Sequence, residues 1–115
     1  MQIAMIGTGY VGLVTGACFS EFGAVVTCVD SDKVKIERLN NGEIPIFEPG
    51  LEALVQSNVK ARRLFFSCDL RTAVANSDAV FIAVGTPSRR GDGHADLTYV
   101  FSAAKEIAEA LNGYT

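Results

Sequence analysis

The stretch "MIGTGYVG", residues 5–12, decides the fold. It sets Gly7, Gly9 and Gly12 in G-x-G-x-x-G spacing between an apolar run at 2–6, "QIAMI", and a helical segment at 10–22. The pattern alone is short and common; a strand before it and a helix after it give it meaning. In that setting Gly7 permits the tight turn, Gly9 lets a phosphate come up against the backbone, and Gly12 lets the helix pack closely on the strand. The first N–H groups of a helix lack intrahelical partners and lie at the positive end of its dipole. They face a pyrophosphate with roughly 0.3–1 kcal/mol of help from the dipole, up to ~2 if partly buried. A strand–helix turn without a ligand is the competing reading.

Asp30 lies eighteen residues beyond Gly12, at the close of a second apolar run, "VVTCV" at 25–29. A carboxylate there can accept hydrogen bonds from the ribose hydroxyls of an adenine nucleotide. A 2′-phosphate in the same place meets a like charge at a cost of order several kcal/mol, so NAD is favoured over NADP. The alternative, that Asp30 caps the next helix, is weakened by Ser31 and Asp32, either of which can do so. Lys35, in the first turn of that helix, could reach the same ribose or a phosphate; a solvated surface lysine is the equal alternative. Thr86, in "VGTP" at 84–87, could offer its hydroxyl to the cofactor or serve only as a turn residue, with Pro87 fixing the turn.

Further apolar runs, "LFFS" at 64–67 and "AVFIAV" at 79–84, read as strands with little polar alternation, as in parallel strands covered on both faces. Helices are expected at 10–22, 32–40, 51–58, 70–75 and 97–111. In the first, Val11, Val14, Thr15, Cys18, Phe19 and Phe22 form the apolar stripe. Pro49 suits the first turn of the third. In the last, Asp96 is the expected N-cap, Gly113 the stop, and Val100, Ala104, Ile107, Ala108 and Leu111 the buried stripe. This alternation implies right-handed βαβ crossovers and an α/β fold, a Rossmann-like doubly wound parallel sheet with strand order 3-2-1-4. The fourth strand would then lie at an edge, although its composition suits a sheet interior. The expectation is an incomplete dinucleotide-binding domain over residues 1–115, about four strands of a larger protein, prone to self-association.

The 115 residues fit one domain. A formal net charge of −3 gives no electrostatic reason to expect nucleic acid or an anionic membrane. No apolar run approaches the ~20 residues of a membrane helix, and no basic n-region precedes the first strand. Cys18, Cys28 and Cys68 are odd in number and lack CxxC spacing, so small apolar residues in a reducing, cytoplasmic setting are expected, with no metal site. "SRRGDGHAD" (88–96), with Arg89, Arg90 and His94, reads as a solvated turn, the alternative being a loop near the cofactor edge that brings the arginines to a phosphate, and "KARR" (60–63) reads as a solvated basic face. Asp30 and Asp32 are not an acid–base pair, since nothing places a scissile bond between them.

Several segments taken together resemble one family. The stretch from "MIGTGYVG" through "NGEIPIFEPGL" (41–51), then "AVFIAVGTP" (79–87) and "GDGHADLTYV" (91–100), are similar to the amino-terminal part of the UDP-glucose/GDP-mannose dehydrogenase family. The resemblance covers nearly the whole chain. It implies an oxidoreductase that converts the 6-hydroxymethyl group of a nucleotide sugar to a carboxylate with two NAD per turnover. It also implies a cysteine thiolate that carries the sugar through a thiohemiacetal and a thioester. Matched residue by residue, it puts cofactor contacts at Gly7, Gly9, Tyr10, Val11, Gly12, Asp30, Lys35 and Thr86. No catalytic residue carries over, because none of Cys18, Cys28 or Cys68 matches the nucleophile. The implied reading is thus the NAD-binding portion of a nucleotide-sugar 6-dehydrogenase, inactive by itself. UDP-glucose leads as the sugar of the longer protein; GDP-mannose, a UDP-N-acetylhexosamine, or a free-standing nucleotide-binding module are the alternatives. The expected partners are NAD, that sugar nucleotide and further copies of the chain.

Overall fold

A computed structural model describes residues 1–84 and 97–111. In chain order the elements are β1 (Gln2–Ile6), α1 (Tyr10–Glu21), β2 (Val25–Val29), α2 (Lys33–Asn40), α3 (Leu51–Lys60), β3 (Leu64–Ser67), α4 (Leu70–Ala75), β4 (Ala79–Ile82) and α5 (Thr98–Ala110). The strands form one parallel sheet in the order β3-β2-β1-β4, with β4 at the edge, as the alternation of elements predicts.

Side chains leave a strand on alternate faces, so the sheet supports a core on each side. Ile3, Met5, Val26, Cys28, Leu64 and Phe66 pack with Leu13, Ala17, Ile36, Leu39, Leu51 and Val55 of the first three helices. Ala4, Ile6 and Val29 pack with Val74, Ala103, Ile107 and Ala110 of α4 and α5. Burial pushes the Cys28 thiol up to about 12, leaving it a small apolar core group. Cys18 is only half-buried and Cys68 is exposed.

Two helix faces differ from the sequence expectation. The buried residues of α1 are Gly12, Leu13, Gly16, Ala17 and Ser20, whereas Val11 and Phe22 of the expected stripe are 64% and 89% exposed. Close packing on the sheet selects the small residues: a Cβ on Gly16 would stand 2.8 Å from the Cys28 sulfur. On α5 the seam is Ala103, Ile107 and Ala110, rotated from the expected stripe, of which Ala104, Ala108 and Leu111 are exposed. Of the two flanking signals expected for α5, Asp96 and Gly113 both lie outside the described residues, and the cap position falls on Leu97.

Pro49 precedes α3 and does not open it: Gly50 is the N-cap, in a left-handed conformation at φ +82°. The basic segment 60–63 is also more than a solvated face. Arg63 donates through Nε to the Ser20 carbonyl and to Asn58 Oδ1, both at 3.1 Å. Fully buried Asn58 in turn donates to Glu21 Oε2 at 2.9 Å. This network ties the end of α3 to the end of α1.

Candidate functional site

The carboxyl ends of β1, β2 and β4 meet at one place. Ile6 is level with Val29 on one side and Ile82 on the other. The Gly7 amide donates to the Val29 carbonyl and the Ala83 amide to the Ile6 carbonyl, each at 2.7 Å. The chain leaves β1 toward β2 by way of α1 and returns to β4 through α4. The crevice beyond Gly7 is therefore the topological switch point, where open α/β sheets bind ligands.

Each glycine of the loop plays a distinct part. Gly7 adopts φ +111°, and a Cβ there would lie 2.6 Å from the Ala83 carbonyl oxygen. A Cβ on Gly12 would collide with the Gly7 carbonyl oxygen. Around a Cβ on Gly9 there is nothing within 4 Å among the described residues. Two glycines are thus demanded by the fold, while the middle one borders open space. Gly9 is the N-cap of α1, no side chain among the described residues caps the helix, and its first turn carries no acid. Its first amides, those of Tyr10, Val11 and Gly12, are the groups an anion would meet.

Asp30 closes β2 beside this loop. Its Oδ2 accepts the Thr8 hydroxyl at 2.7 Å and the Thr8 amide at 3.2 Å, with Lys35 Nζ at 3.5 Å. Its Oδ1 accepts the Asp32 amide at 3.0 Å. The carboxyl is held below its usual range. Burial is the largest single influence and pushes it up, but the Thr8 hydroxyl, the Asp32 amide, Lys35 and the Thr8 amide together outweigh that. The side chain of Asp32, not Asp30, caps α2, accepting from the Val34 and Lys35 amides. Asp30 is therefore left with an ionised group at the crevice.

Gly7, Gly9, Tyr10, Val11, Gly12, Asp30 and Lys35 converge on this edge; Thr86 lies outside the described residues. Two participants escaped the sequence reading. Thr8, fully buried, joins the glycine loop to Asp30. Glu48 reaches Tyr10, whose phenol donates to Glu48 Oε2 at 3.2 Å. That carboxylate, by its charge first and the hydrogen bond second, raises the phenol pKa.

A groove of about 510 Å³ lies elsewhere, over β2 and β3 beside α4. Thr27, Phe65, Ser67 and Asn76 help to line it, with no lysine or arginine among the described residues there to meet a phosphate, so the crevice is the better anion site. Among the described residues no group of three His, Cys, Asp or Glu side chains could hold a metal ion. The open space at Gly9, the uncapped helix start and the ionised acid fit a dinucleotide's diphosphate and ribose.

Comparison with known proteins agrees with this architecture. The profile of the UDP-glucose/GDP-mannose dehydrogenase family, NAD binding domain, matches residues 1–115. The chain is 67% identical over 115 residues to a UDP-glucose 6-dehydrogenase of Rhizobium meliloti (strain 1021), covering all of this chain and 26% of that protein. It is 58% identical over 113 residues to the UDP-glucose 6-dehydrogenase TuaD of Bacillus subtilis (strain 168), covering 98% of this chain and 24% of TuaD. Among solved structures, a ternary complex of a GDP-mannose dehydrogenase from Pseudomonas aeruginosa superposes with a TM-score of 0.91 at 44% identity, over 96% of this chain and 25% of that one. The chain thus spans about a quarter of the length of the relatives it matches.

Proposed function

The chain belongs to the UDP-glucose/GDP-mannose dehydrogenase family, and on that footing we propose that its crevice holds NAD for the oxidation of a nucleotide sugar. The amides that open α1 receive the diphosphate, Asp30 accepts from the adenosine ribose, and Lys35 lies over the same ribose. Tyr10 and Val11 line the entrance, and Thr86 belongs to the same site. NAD supplies the hydride acceptor; this chain supplies binding and orientation. The observation that carries the reading is the pairing of open space at Gly9 with an ionised carboxylate at the end of the next strand.

UDP-glucose is the proposed sugar, favoured by 67% identity to a UDP-glucose enzyme against 44% to a GDP-mannose enzyme. The groups that bind the sugar and carry out the chemistry belong to a longer, cytoplasmic, self-associating protein in which residues 1–115 form the amino-terminal part of the cofactor domain. Among the described residues no helix is long and apolar enough to cross a membrane.

Calorimetric titration tests the cofactor assignment. NAD should bind saturably and NADP at least about tenfold more weakly, since a 2′-phosphate faces Asp30. Equal affinity for the two, or no binding of either, overturns it.

A further inference from the structure

We propose that Thr8 is a positioning residue for the cofactor's adenosine ribose, holding one oxygen of Asp30 so that the other is left to accept a ribose hydroxyl. The inference rests on the NAD reading above and assigns a role to a residue that the glycine pattern leaves unspecified.

Hydrogen-bond capacity carries the argument. Each carboxylate oxygen offers about two lone-pair sites. Oδ2 of Asp30 is surrounded by three donors: the Thr8 hydroxyl at 2.7 Å, the Thr8 amide at 3.2 Å and Lys35 Nζ at 3.5 Å. Among the described residues Oδ1 has a single donor, the Asp32 amide at 3.0 Å. The incoming hydroxyl therefore meets Oδ1.

Thr8 can hold the group firmly because it is fully buried, whereas the Lys35 side chain is 36% exposed and free to sample solvent. A β-branched residue has few χ1 rotamers, so the hydroxyl is fixed with the loop that would carry the diphosphate. The two halves of the site, amides at one end and carboxylate at the other, are in this way joined by one side chain. If the hydroxyl were lost, the long Lys35 chain would be free to draw the carboxylate off line.

The test compares Thr8→Val, which keeps the shape, with Thr8→Ser, which keeps the hydroxyl. NAD and NADP are titrated calorimetrically into both variants and the unaltered protein, with melting temperatures alongside. Thr8→Ser should bind NAD within about twofold of the unaltered protein, and Thr8→Val about tenfold more weakly, the effect of one hydrogen bond to a charged group. The preference for NAD over NADP should fall with Thr8→Val and persist with Thr8→Ser. If the valine variant does not fold, Thr8→Ala removes the same hydroxyl and takes its place.

Unchanged NAD affinity in Thr8→Val overturns the role of Thr8 alone. An equal loss of NAD and NADP with a lowered melting temperature shows a merely structural residue and also overturns it. Failure of the unaltered protein to bind NAD overturns the cofactor reading and this inference together.

Discussion

Gly16 of α1 lies directly against Cys28 of β2: a methyl group on the glycine would come within 2.8 Å of the sulfur. Cys28 is fully buried, so the sulfur has little room to give. Gly16→Ala should cost about 1–3 kcal/mol as overpacking, despite alanine's better helix propensity. Cys28→Ala leaves room for the added methyl, so the double variant should be more stable than the sum of the single effects implies. Urea denaturation of the four proteins measures this; strict additivity contradicts the contact.

The glycines of the loop should separate fold from binding. Gly12→Ala drives a methyl into the Gly7 carbonyl and should destabilise by roughly 1–3 kcal/mol or more. Gly9 has φ −74°, a value open to any residue, and free space around it. Gly9→Ala should therefore leave the melting temperature near that of the unaltered protein while weakening NAD by about tenfold or more, because the methyl occupies the space of the phosphate. A melting temperature that drops as far as for Gly12→Ala contradicts the assignment.

Asp30 makes stability depend on acid. Its folded pKa is below the unfolded value, which is about 3.9. The stabilisation is therefore fully present above that pH and disappears as pH falls through the folded value. Exposed Asp69, lowered by the Thr72 hydroxyl first and the Thr72 amide second, contributes in the same direction. Asp30→Asn should flatten the loss of urea midpoint between neutral pH and about pH 3. An equally steep loss in that variant would show that Asp30 gains nothing from its partners.

These tests fall mostly on features that the sequence showed unevenly. β1, β2 and β3 were legible to the residue, since short apolar runs bounded by turn residues leave little choice of register. The inward face of α1 was not legible. Apolar periodicity marks bulky residues, and here close approach to the sheet buries Gly16, Ala17 and Ser20 beside the Gly12 that the motif itself turns inward. Asp30 stood out by its distance from the glycines. Thr8 occupies an unspecified position of the same motif, and only the pairing of β1 with β2 brings it to the carboxylate. A threonine between two loop glycines, with an acid ending the next strand, is the signal that could have found it. Arg63 and Asn58 meet Ser20 and Glu21 across more than thirty residues of chain, which no local pattern reports.

The edge strand leads to a prediction of association. Phe81 and Ile82 of β4 are each 42% exposed on a strand with one side unpaired among the described residues. Such an edge pairs readily with another chain. Sedimentation velocity should show mass above 12.2 kDa that grows with concentration. Ile82→Lys, which puts a charge on the edge, should reduce it. A monomer at every concentration contradicts the expectation.

In the proposed complex the amides opening α1 receive the diphosphate of NAD while Asp30 takes its ribose. Titration of NAD into isotopically labelled protein, followed by amide nuclear magnetic resonance, tests it most directly. Saturable shifts should be largest at Gly9, Tyr10, Val11, Gly12 and Asp30. Saturable shifts confined to the groove around Thr27, Phe65 and Asn76, or none at the glycine loop, would contradict it.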